Sequence, residues 1–356
     1  MKNVRPFILL IVLLIVGVDF QVQAGFQNED KGVFTDLFSK EEPLRIDLFA
    51  DYVNLLDDVS DNRVYHDAKF SVHNPSSAIN EMPIRLKTRG NFRLRKQTCN
   101  FPPLRFKFDA DQTRGTVFQG HNKLKYVSHC QNFKEHYEQH TLEEFLVYRM
   151  YNIFTDYSYQ VRLAQVNFID VNERDTIQRF GFFIEDKNHL AKRIGRQALK
   201  FRNIKQYQVL RSNMLVFSLF QCMIGNSDWD VSRLHNVDLM SVNDHSLPVA
   251  VPYDFDWSAI IAHDYFVLDP QIDLEAKYKR RYKSFRWSDE EFEAAFNTFH
   301  ELRDELMTLI SDFEYLENDN RLKMLDYISE FYDLISSKVD VKEYILKQAK
   351  KIPVDR

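Results

Sequence analysis

The sequence predicts an α+β protein with a β-rich first half and a mainly helical second half. Short stretches of alternating apolar and polar residues, the period of half-buried strands, recur up to about residue 186. Longer segments follow with apolar residues at three- and four-residue spacing, which is typical of helices. A chain of 356 residues is long enough for one two-lobed domain or for two small domains. We therefore predict an N-terminal antiparallel sheet lobe over 41–186 and a helical C-terminal lobe over 187–350.

The composition limits the classes of partner. A net charge of -5, from 47 basic and 52 acidic residues, gives no overall attraction to nucleic acid or to an anionic membrane. Aromatic residues make up 14% of the chain and there are only 9 glycines, so a densely packed globule is expected rather than disorder.

The first 24 residues have the pattern of a signal peptide. Lys2 and Arg5 precede an apolar run from Phe7 to Val18, and small residues follow at Val22 and Ala24. An uncleaved anchor is the alternative, but the run is shorter than the roughly 20 residues that span a bilayer. We expect cleavage, a flexible arm over 25–40, no stable membrane span, and export to the periplasm, the cell surface or the medium.

The three cysteines divide into two groups. Cys99 and Cys130 lie in polar, turn-like surroundings and are a candidate disulfide in an oxidising compartment. Cys222 lies in a strongly apolar helical segment, which indicates an inert core thiol. The spacing required for a zinc site is absent.

Several alternating runs predict the strands of the first lobe. They are Leu44 to Leu48, Ile84 to Arg89, Leu104 to Phe108, Val161 to Val171 and Arg179 to Ile184. Alternation puts Arg85, Lys87 and Arg89 on one surface, and likewise Arg105 and Lys107. A solvated sheet face with scattered charge explains this pattern equally well.

The helices are predicted from caps and apolar stripes. Thr141 to Glu144 has the form of a capping box and opens a helix to about Phe154. Residues 210–224 are apolar nearly all round, as in a buried helix, and Gly225 ends it. Ser288 caps a helix to about Phe313, and 320–347 gives one or two more.

The stretch from Gly225 to Trp257 carries the candidate chemistry. It contains Gly225-Asn226-Ser227-Asp228-Trp229, then His235-Asn236, then Pro252-Tyr253-Asp254-Phe255-Asp256-Trp257. A hairpin between the last two segments would bring Asp254 back beside Asp228. Carboxylate and amide oxygens in such loops suit a divalent cation and a phosphate chain.

This stretch resembles the CotH-type (spore coat protein H-like) kinase family, an atypical branch of the protein-kinase-like fold. The resemblance implies that Asp228 is the catalytic base and that Asn236 and Asp254 bind metal, with Asp256 a second ligand or a buttress. The family puts four residues between base and Asn, as ordinary kinases do, whereas seven stand here. Either the loop bulges or the role of the Asn has moved. His235 is either an orienting group or a hydrogen-bonding core residue.

The resemblance also implies a set of nucleotide contacts. Arg89-Gly90-Asn91, followed by Arg105 and Lys107, matches the family's Arg-Gly segment and basic strand. Lys123 and Lys125 compete with these residues for the part of the kinase strand lysine. Glu185 is a candidate nucleotide contact at the adenine edge, with a surface helix cap as the alternative.

The expected function is a secreted kinase that transfers the γ-phosphate of ATP, with Mg²⁺ or Mn²⁺, to Ser/Thr of an exported protein. The alternative is a kinase-like surface binding or assembly protein without turnover. The lengthened loop and the scarcity of ATP outside the cytoplasm favour that alternative. A metal-dependent glycosyltransferase is a weaker third hypothesis, because paired carboxylates on divalent metals also serve other enzymes.

Overall fold

Seven strands of the first half close into a barrel in the computed structural model, which describes residues 36–172, 175–243, 245–263 and 280–353. The predicted signal peptide and residues 25–35 of the predicted arm lie outside the described residues. The barrel strands are β1 (Leu44–Ala50), β2 (His66–Val72), β3 (Ile79–Thr88), β4 (Leu104–Lys107), β5 (Lys123–Val127), β6 (Val161–Asp170) and β7 (Thr176–Ile184).

A second, three-stranded sheet and most of the helices belong to the rest of the chain. The sheet contains β8 (Gln197–Leu199), β9 (Val237–Ser241) and β10 (Val249–Pro252), in the order β10-β9-β8. The described helices are α1 (Tyr52–Asp57), α2 (Ala110–Thr113), α3 (His136–Phe154), α4 (Lys187–Arg193), α5 (Arg211–Met223), α6 (Asp289–Glu301), α7 (Arg303–Ser311), α8 (Asn318–Ser336) and α9 (Lys338–Asp340), which continues as a π-helical turn over Val341–Leu346. Short 3₁₀ turns lie at Asp36–Phe38, Phe92–Leu94 and Gln206–Gln208.

The α+β class is therefore confirmed, but the first sheet differs from the expected antiparallel one. Its order is β1-β2-β3-β4-β5-β7-β6, and β6 pairs in parallel with β1, with Leu44 opposite Ala164. Parallel neighbours need a long crossover, and the chain reaches β6 only after α3. Closure leaves the sheet without open edges.

Aromatic side chains fill the barrel, because alternate residues of each strand point inward. Phe106 and Phe183 meet nearly edge to face, with 5.0 Å between ring centroids. The inward residues also include Leu48, Phe70, Leu86, Leu124, Tyr126 and Phe168. The opposite faces of β3 and β4 carry cations that alternation predicted, and the same face of β5 carries Lys123 and Lys125.

Residues 36–40 are fixed to the barrel rather than flexible, unlike the prediction for the arm. Leu37 is buried in the barrel core. The guanidinium of buried Arg162 donates to the carbonyl oxygens of Leu37 and Lys40, at 3.4 and 2.5 Å. A buried side chain on β6 thus holds the backbone of this segment by hydrogen bonds.

Helix α3 begins five residues before the predicted capping box. Thr141 donates its hydroxyl to the carbonyl of Tyr137 inside the helix and to that of Ser128. Glu144 accepts a hydrogen bond from Arg93, which lies after β3, and not from the backbone at the start of the helix. The capping-box prediction was wrong because both side chains are buried against other elements.

The C-terminal half follows the predictions more closely. Helix α5 ends in a Schellman motif: the N–H of Gly225 donates to Cys222 and that of Asn226 to Gln221. Gly225 has φ +67°, and a Cβ there would meet the Tyr327 hydroxyl. The Ser288 capping box is present, but the helix that it opens ends at Glu301, and α7 forms a separate helix.

The cysteines behave as predicted. Cys99 and Cys130 form a disulfide with their Cα atoms 4.6 Å apart. Cys222 is a buried free thiol, and burial raises its pKa to about 12. None of the described helices combines the length and the apolar composition needed to cross a bilayer.

Candidate functional site

A polar cleft of about 610 Å³ is lined by two kinds of segment. One is the pair of loops after α5 and β10, which contribute Asp228, Asn236 and Asp254. The other is the outer face of β3, β4 and β5 together with the turn after β3. The cleft therefore brings together the motif loops and the basic strands that the sequence analysis identified separately.

Asp228 is positioned by the rigid end of α5. The Asn226 side-chain oxygen accepts the backbone N–H of Asp228 at 2.9 Å. Trp229 is buried, its ring packs edge to face on Phe217, and its indole N–H donates to the Asn226 carbonyl at 3.2 Å. Trp229 thus anchors the loop, while 39% of the Asp228 side chain remains exposed.

The carboxylate of Asp228 is held by both residues of the His235-Asn236 pair. His235 Nε2 lies 2.7 Å from Oδ1, and the Asn236 amide donates to Oδ2 at 2.9 Å and to the Asp228 carbonyl at 2.8 Å. The His235 side chain is 52% exposed, which contradicts the core alternative. Its contacts are those of an orienting group.

The long loop between Asp228 and Asn236 bulges. Asp230 and His235 exchange two backbone hydrogen bonds of 3.0 Å, which closes the extra residues into a tight loop. Leu234 and Asn236 take φ values of +54° and +52°, a strained conformation for residues other than glycine. The loop length therefore does not carry Asn236 away from Asp228.

Asp254 enters the cleft from the strand next to Asn236. The N–H of Tyr253 donates to the Asn236 carbonyl at 3.1 Å, and the N–H of Asp254 donates to the Tyr148 hydroxyl at 2.8 Å. Asp254 has φ +62°. These two bonds hold the amino side of Asp254 to the residue before β9 and to α3, and local backbone strain persists at sites where the surroundings fix the chain in this way.

Asp256 is buried and bound by an arginine. Its Oδ2 accepts from Arg93 Nε at 2.9 Å, and the Arg93 NH2 group lies 2.7 Å from the same oxygen and 2.9 Å from Glu144 Oε2. All three residues are at most 8% exposed. Of the two predicted roles of Asp256, these contacts are those of a buttress.

Two buried carboxylates share this one guanidinium, and the pKa of Glu144 is raised all the same. Burial is the main cause and the charges of Asp256 and Asp254 add to it, whereas Arg93 opposes it, leaving a pKa of about 7. The network joins the turn after β3, helix α3 and the loop that carries Asp254.

The basic strands present their cations in register. Lys87, Arg105 and Lys125 lie directly opposite one another on β3, β4 and β5, and all three line the cleft with Arg89. Among the described residues, no carboxylate lies within ion-pair distance of these four cations. Such a cluster is electrostatically suited to a polyanion.

Burial, and to a lesser extent the neighbouring cations, lowers the pKa values of Lys125 and Arg89. Burial, followed by the charge of Arg89, lowers the pKa of Lys125 to about 8, against the opposing effect of Asp238 and Asp254. Burial also lowers the pKa of Arg89, and nearby Asp254 partly offsets it. The ammonium of Lys125 lies 5.0 Å above the Tyr253 ring.

Three predicted nucleotide contacts fall outside the cleft lining. Lys107 and Lys123 belong to the next row of the sheet, opposite each other and further from the motif loops. Glu185 is buried, and its carboxylate accepts from Arg193 at 3.0 and 2.9 Å. The cap of α4 is the neighbouring Asp186, so neither predicted role of Glu185 matches its contacts.

The donors fit a divalent cation that is shared with phosphate. Within the described ranges, no three His, Cys, Asp or Glu side chains are grouped closely enough to hold a metal ion. Asp254 and Asn236 nevertheless supply hard oxygens in the cleft. Mg²⁺ keeps several waters and takes only one or two protein carboxylates together with substrate phosphates.

Comparisons with known proteins give distant matches only. No protein-family model and no curated protein matches the chain. A structure titled "crystal structure of the Golgi casein kinase with Mn/ADP bound" aligns with 10% identity and a TM-score of 0.34, over 85% of this chain and 80% of that one. Another structure of the Golgi casein kinase aligns with 9% identity and the same TM-score, over 91% and 82%. A likeness this weak supports no conclusion about the chain.

Arg93, which lines the cleft, and Glu144, which binds Arg93, are two residues of the site that the sequence did not identify. Arg93 lies in a turn with other basic residues, and its partners are 51 and 163 residues away. Glu144 had a local explanation as part of a cap. Glu144 is a buried acid in the middle of a helix, and its partner comes close only in the folded chain, so the local pattern does not indicate its role.

Proposed function

We propose that this chain is a secreted CotH-like kinase that transfers the γ-phosphate of ATP to a Ser or Thr hydroxyl of an exported protein, with Mg²⁺ or Mn²⁺. One observation carries the proposal: the same cleft has Asp228 and Asp254 on one side and four cations on the other. Among the described residues, these cations have no carboxylate partner. Phosphoryl transfer needs that combination, because its catalysis is mostly positioning and charge stabilisation.

The proposed roles follow from the contacts. The oxygen of the acceptor hydroxyl attacks the γ-phosphorus, and Asp228 accepts the proton of that hydroxyl. The bond between the γ-phosphorus and the β-γ bridging oxygen breaks, which releases ADP. His235 and Asn236 orient the carboxylate. A bound divalent cation would neutralise phosphate charge, and Asp254 and Asn236 are the residues that would hold it.

The remaining cleft residues support the phosphate chain. Arg89, Lys87, Arg105 and Lys125 offset its charge from the sheet. Asp256, through Arg93 and Glu144, fixes the position of Asp254. In this proposal the barrel (41–186) and the helical region (187–350) act as the two lobes of a kinase-like fold. The Cys99–Cys130 disulfide supports export, since disulfides persist in oxidising compartments.

The test is phosphate transfer by the purified chain with labelled ATP and Mn²⁺ or Mg²⁺. Asp228→Asn should lower the rate by about 10²–10⁴, the usual contribution of a general base. Asp254→Asn should abolish transfer, and Asp304→Asn, an exposed aspartate on α7, should leave it unchanged. Stabilisation by ATP and metal without transfer would instead support the kinase-like binding protein. Absence of both effects rejects a nucleotide function.

A further inference from the structure

A second row of cations lies on the outer face of the same three strands. Arg85 is opposite Lys107 and Lys107 is opposite Lys123, one strand period away from the row that lines the cleft. Two residues along a strand correspond to about 6.6–6.8 Å. We call Arg85, Lys107 and Lys123 the outer row.

Like charges directly opposite each other destabilise a sheet, and the outer row places three of them side by side. Among the described residues, none of the three has a carboxylate within ion-pair distance. The acidic residue nearest in register is Asp67, opposite Arg85 on β2. Arg85 and Lys123 are exposed and Lys107 is half-buried, so their charged groups face solvent.

The outer row is continuous with the cleft through Tyr65. The ammonium groups of Lys107 and Lys87 lie 5.3 and 5.7 Å from the centre of its ring, so one cation from each row contacts the same side chain. Tyr65 itself lines the cleft. A ligand that occupies the cleft and extends outward therefore passes directly onto the outer row.

We propose that the outer row binds acidic side chains of the acceptor protein, so that the kinase acts on Ser or Thr in Asp- or Glu-rich segments. This inference rests on the proposed function, which assigns the inner row to the phosphates of ATP. An extended acidic segment matches the surface, because three strands spaced 4.7–4.9 Å apart make a face roughly 10 Å wide. A duplex or a bilayer would contact far more of a chain whose net charge is -5.

The test measures binding of two labelled serine peptides, one with Glu and one with Gln at all flanking positions. The chain should bind the Glu peptide about tenfold more tightly, as expected for a few exposed ion pairs together. The double variant Lys107→Glu, Lys123→Glu should lose this preference while its Kd for ATP with Mn²⁺ stays the same. Lys338→Glu with Lys342→Glu makes the same charge change at two exposed lysines far along the chain and should keep the preference.

Any one of several results would overturn the inference. The outer-row variant could keep the preference, the control pair could lose it equally, or ATP could displace the peptide, which would place it in the cleft. Stronger competition by DNA or by anionic vesicles would also exclude an acceptor surface. Binding is measured without turnover. Peptide binding without phosphate transfer would therefore contradict the proposed function but not the acceptor surface. Transfer to both peptides with equal KM contradicts the acceptor preference alone.

Discussion

At the scale of single residues, the cleft contains charged groups of opposite sign, of which Asp228 is fixed in orientation and Lys125 has a shifted pKa. Asp228 is held by two neighbours in one orientation. Lys125, by contrast, sits among Arg89, Arg105 and two tyrosine rings, and burial lowers its pKa to about 8. A lysine in that range changes charge near physiological pH, so it controls how strongly the cleft attracts an anion.

Binding of ATP should therefore weaken as pH rises through the pKa of Lys125. The pKa is lowered, so the lysine is charged below about 8 and neutral above it, and affinity falls by up to about tenfold per pH unit above that value. Lys125→Arg should flatten the profile, because arginine stays protonated. Titration calorimetry at several pH values measures it. A flat wild-type profile, or an unchanged slope in Lys125→Arg, contradicts the assignment.

The sequence could identify the residues of the motif loops but not all of their partners. Asp228, Asn236 and Asp254 were recognisable because acidic and amide residues recur in turns after a buried helix. The bulge that keeps Asn236 near Asp228 depends on two positive φ values at Leu234 and Asn236. Asn adopts such a conformation more readily than most residues, but Leu rarely does, so the sequence left the position of Asn236 open.

At the scale of elements, the segment between β3 and β4 connects the barrel to the motif loops. The Phe92 ring packs edge to face on Trp257, 5.3 Å away between centroids. The Cys99–Cys130 disulfide packs in the same small cluster and fastens the segment to the residues after β5. Arg93 then reaches from this segment to α3 and to the loop of Asp256.

Replacing Arg93 by Met should destabilise the chain by about 3–5 kcal/mol, because two buried carboxylates lose their counter-charge. The loss should be smaller at low pH. Glu144 already has a pKa above its ordinary 4.5, so it is protonated in the folded chain at pH values where it is ionised in the unfolded chain. Folding stability therefore falls as pH rises from about 4.5 to about 7, and more so without Arg93. Urea denaturation at several pH values measures this.

The matched control is Arg114→Met, since Arg114 is exposed and paired with exposed Asp111. It should change stability by less than about 0.5 kcal/mol at any pH. Equal losses in both variants, or a loss in Arg93→Met that is the same at low and high pH, would show that the buried carboxylates do not cause the effect.

At the scale of the whole molecule, local patterns predicted many of the strands and helices but not the barrel. Alternation identified β1, β3, β4, β6 and β7 within a few residues. Closure depends on the parallel pairing of Leu44–Ala50 with residues about 120 positions later. The two paired segments lie on either side of α3 along the chain, and α3 packs against the sheet where Phe145 meets Phe182, so no short stretch of sequence encodes their pairing.

The same long-range assembly makes the cleft bipolar, with cations on the barrel side and carboxylates on the loop side. Neither half is a complete site. ATP alone would be attracted by the cations but repelled by Asp228 and Asp254. A metal ion alone would find too few carboxylate ligands among the described residues for tight binding. Metal and nucleotide should therefore bind cooperatively, since each removes the repulsion that the other meets.

We predict that Mn²⁺ with ATP raises the melting temperature by more than the sum of the two separate shifts. A combined ligand at a hundredfold excess over its Kd stabilises the folded chain by about 2.7 kcal/mol. Asp254→Asn should reduce the combined shift to the sum of the separate ones, because the residue that would hold the cation is lost while the barrel cations remain. Asp304→Asn should retain the full excess. A full shift with Mn²⁺ alone would mean that the loops hold metal without phosphate, and the barrel cations would then need another explanation.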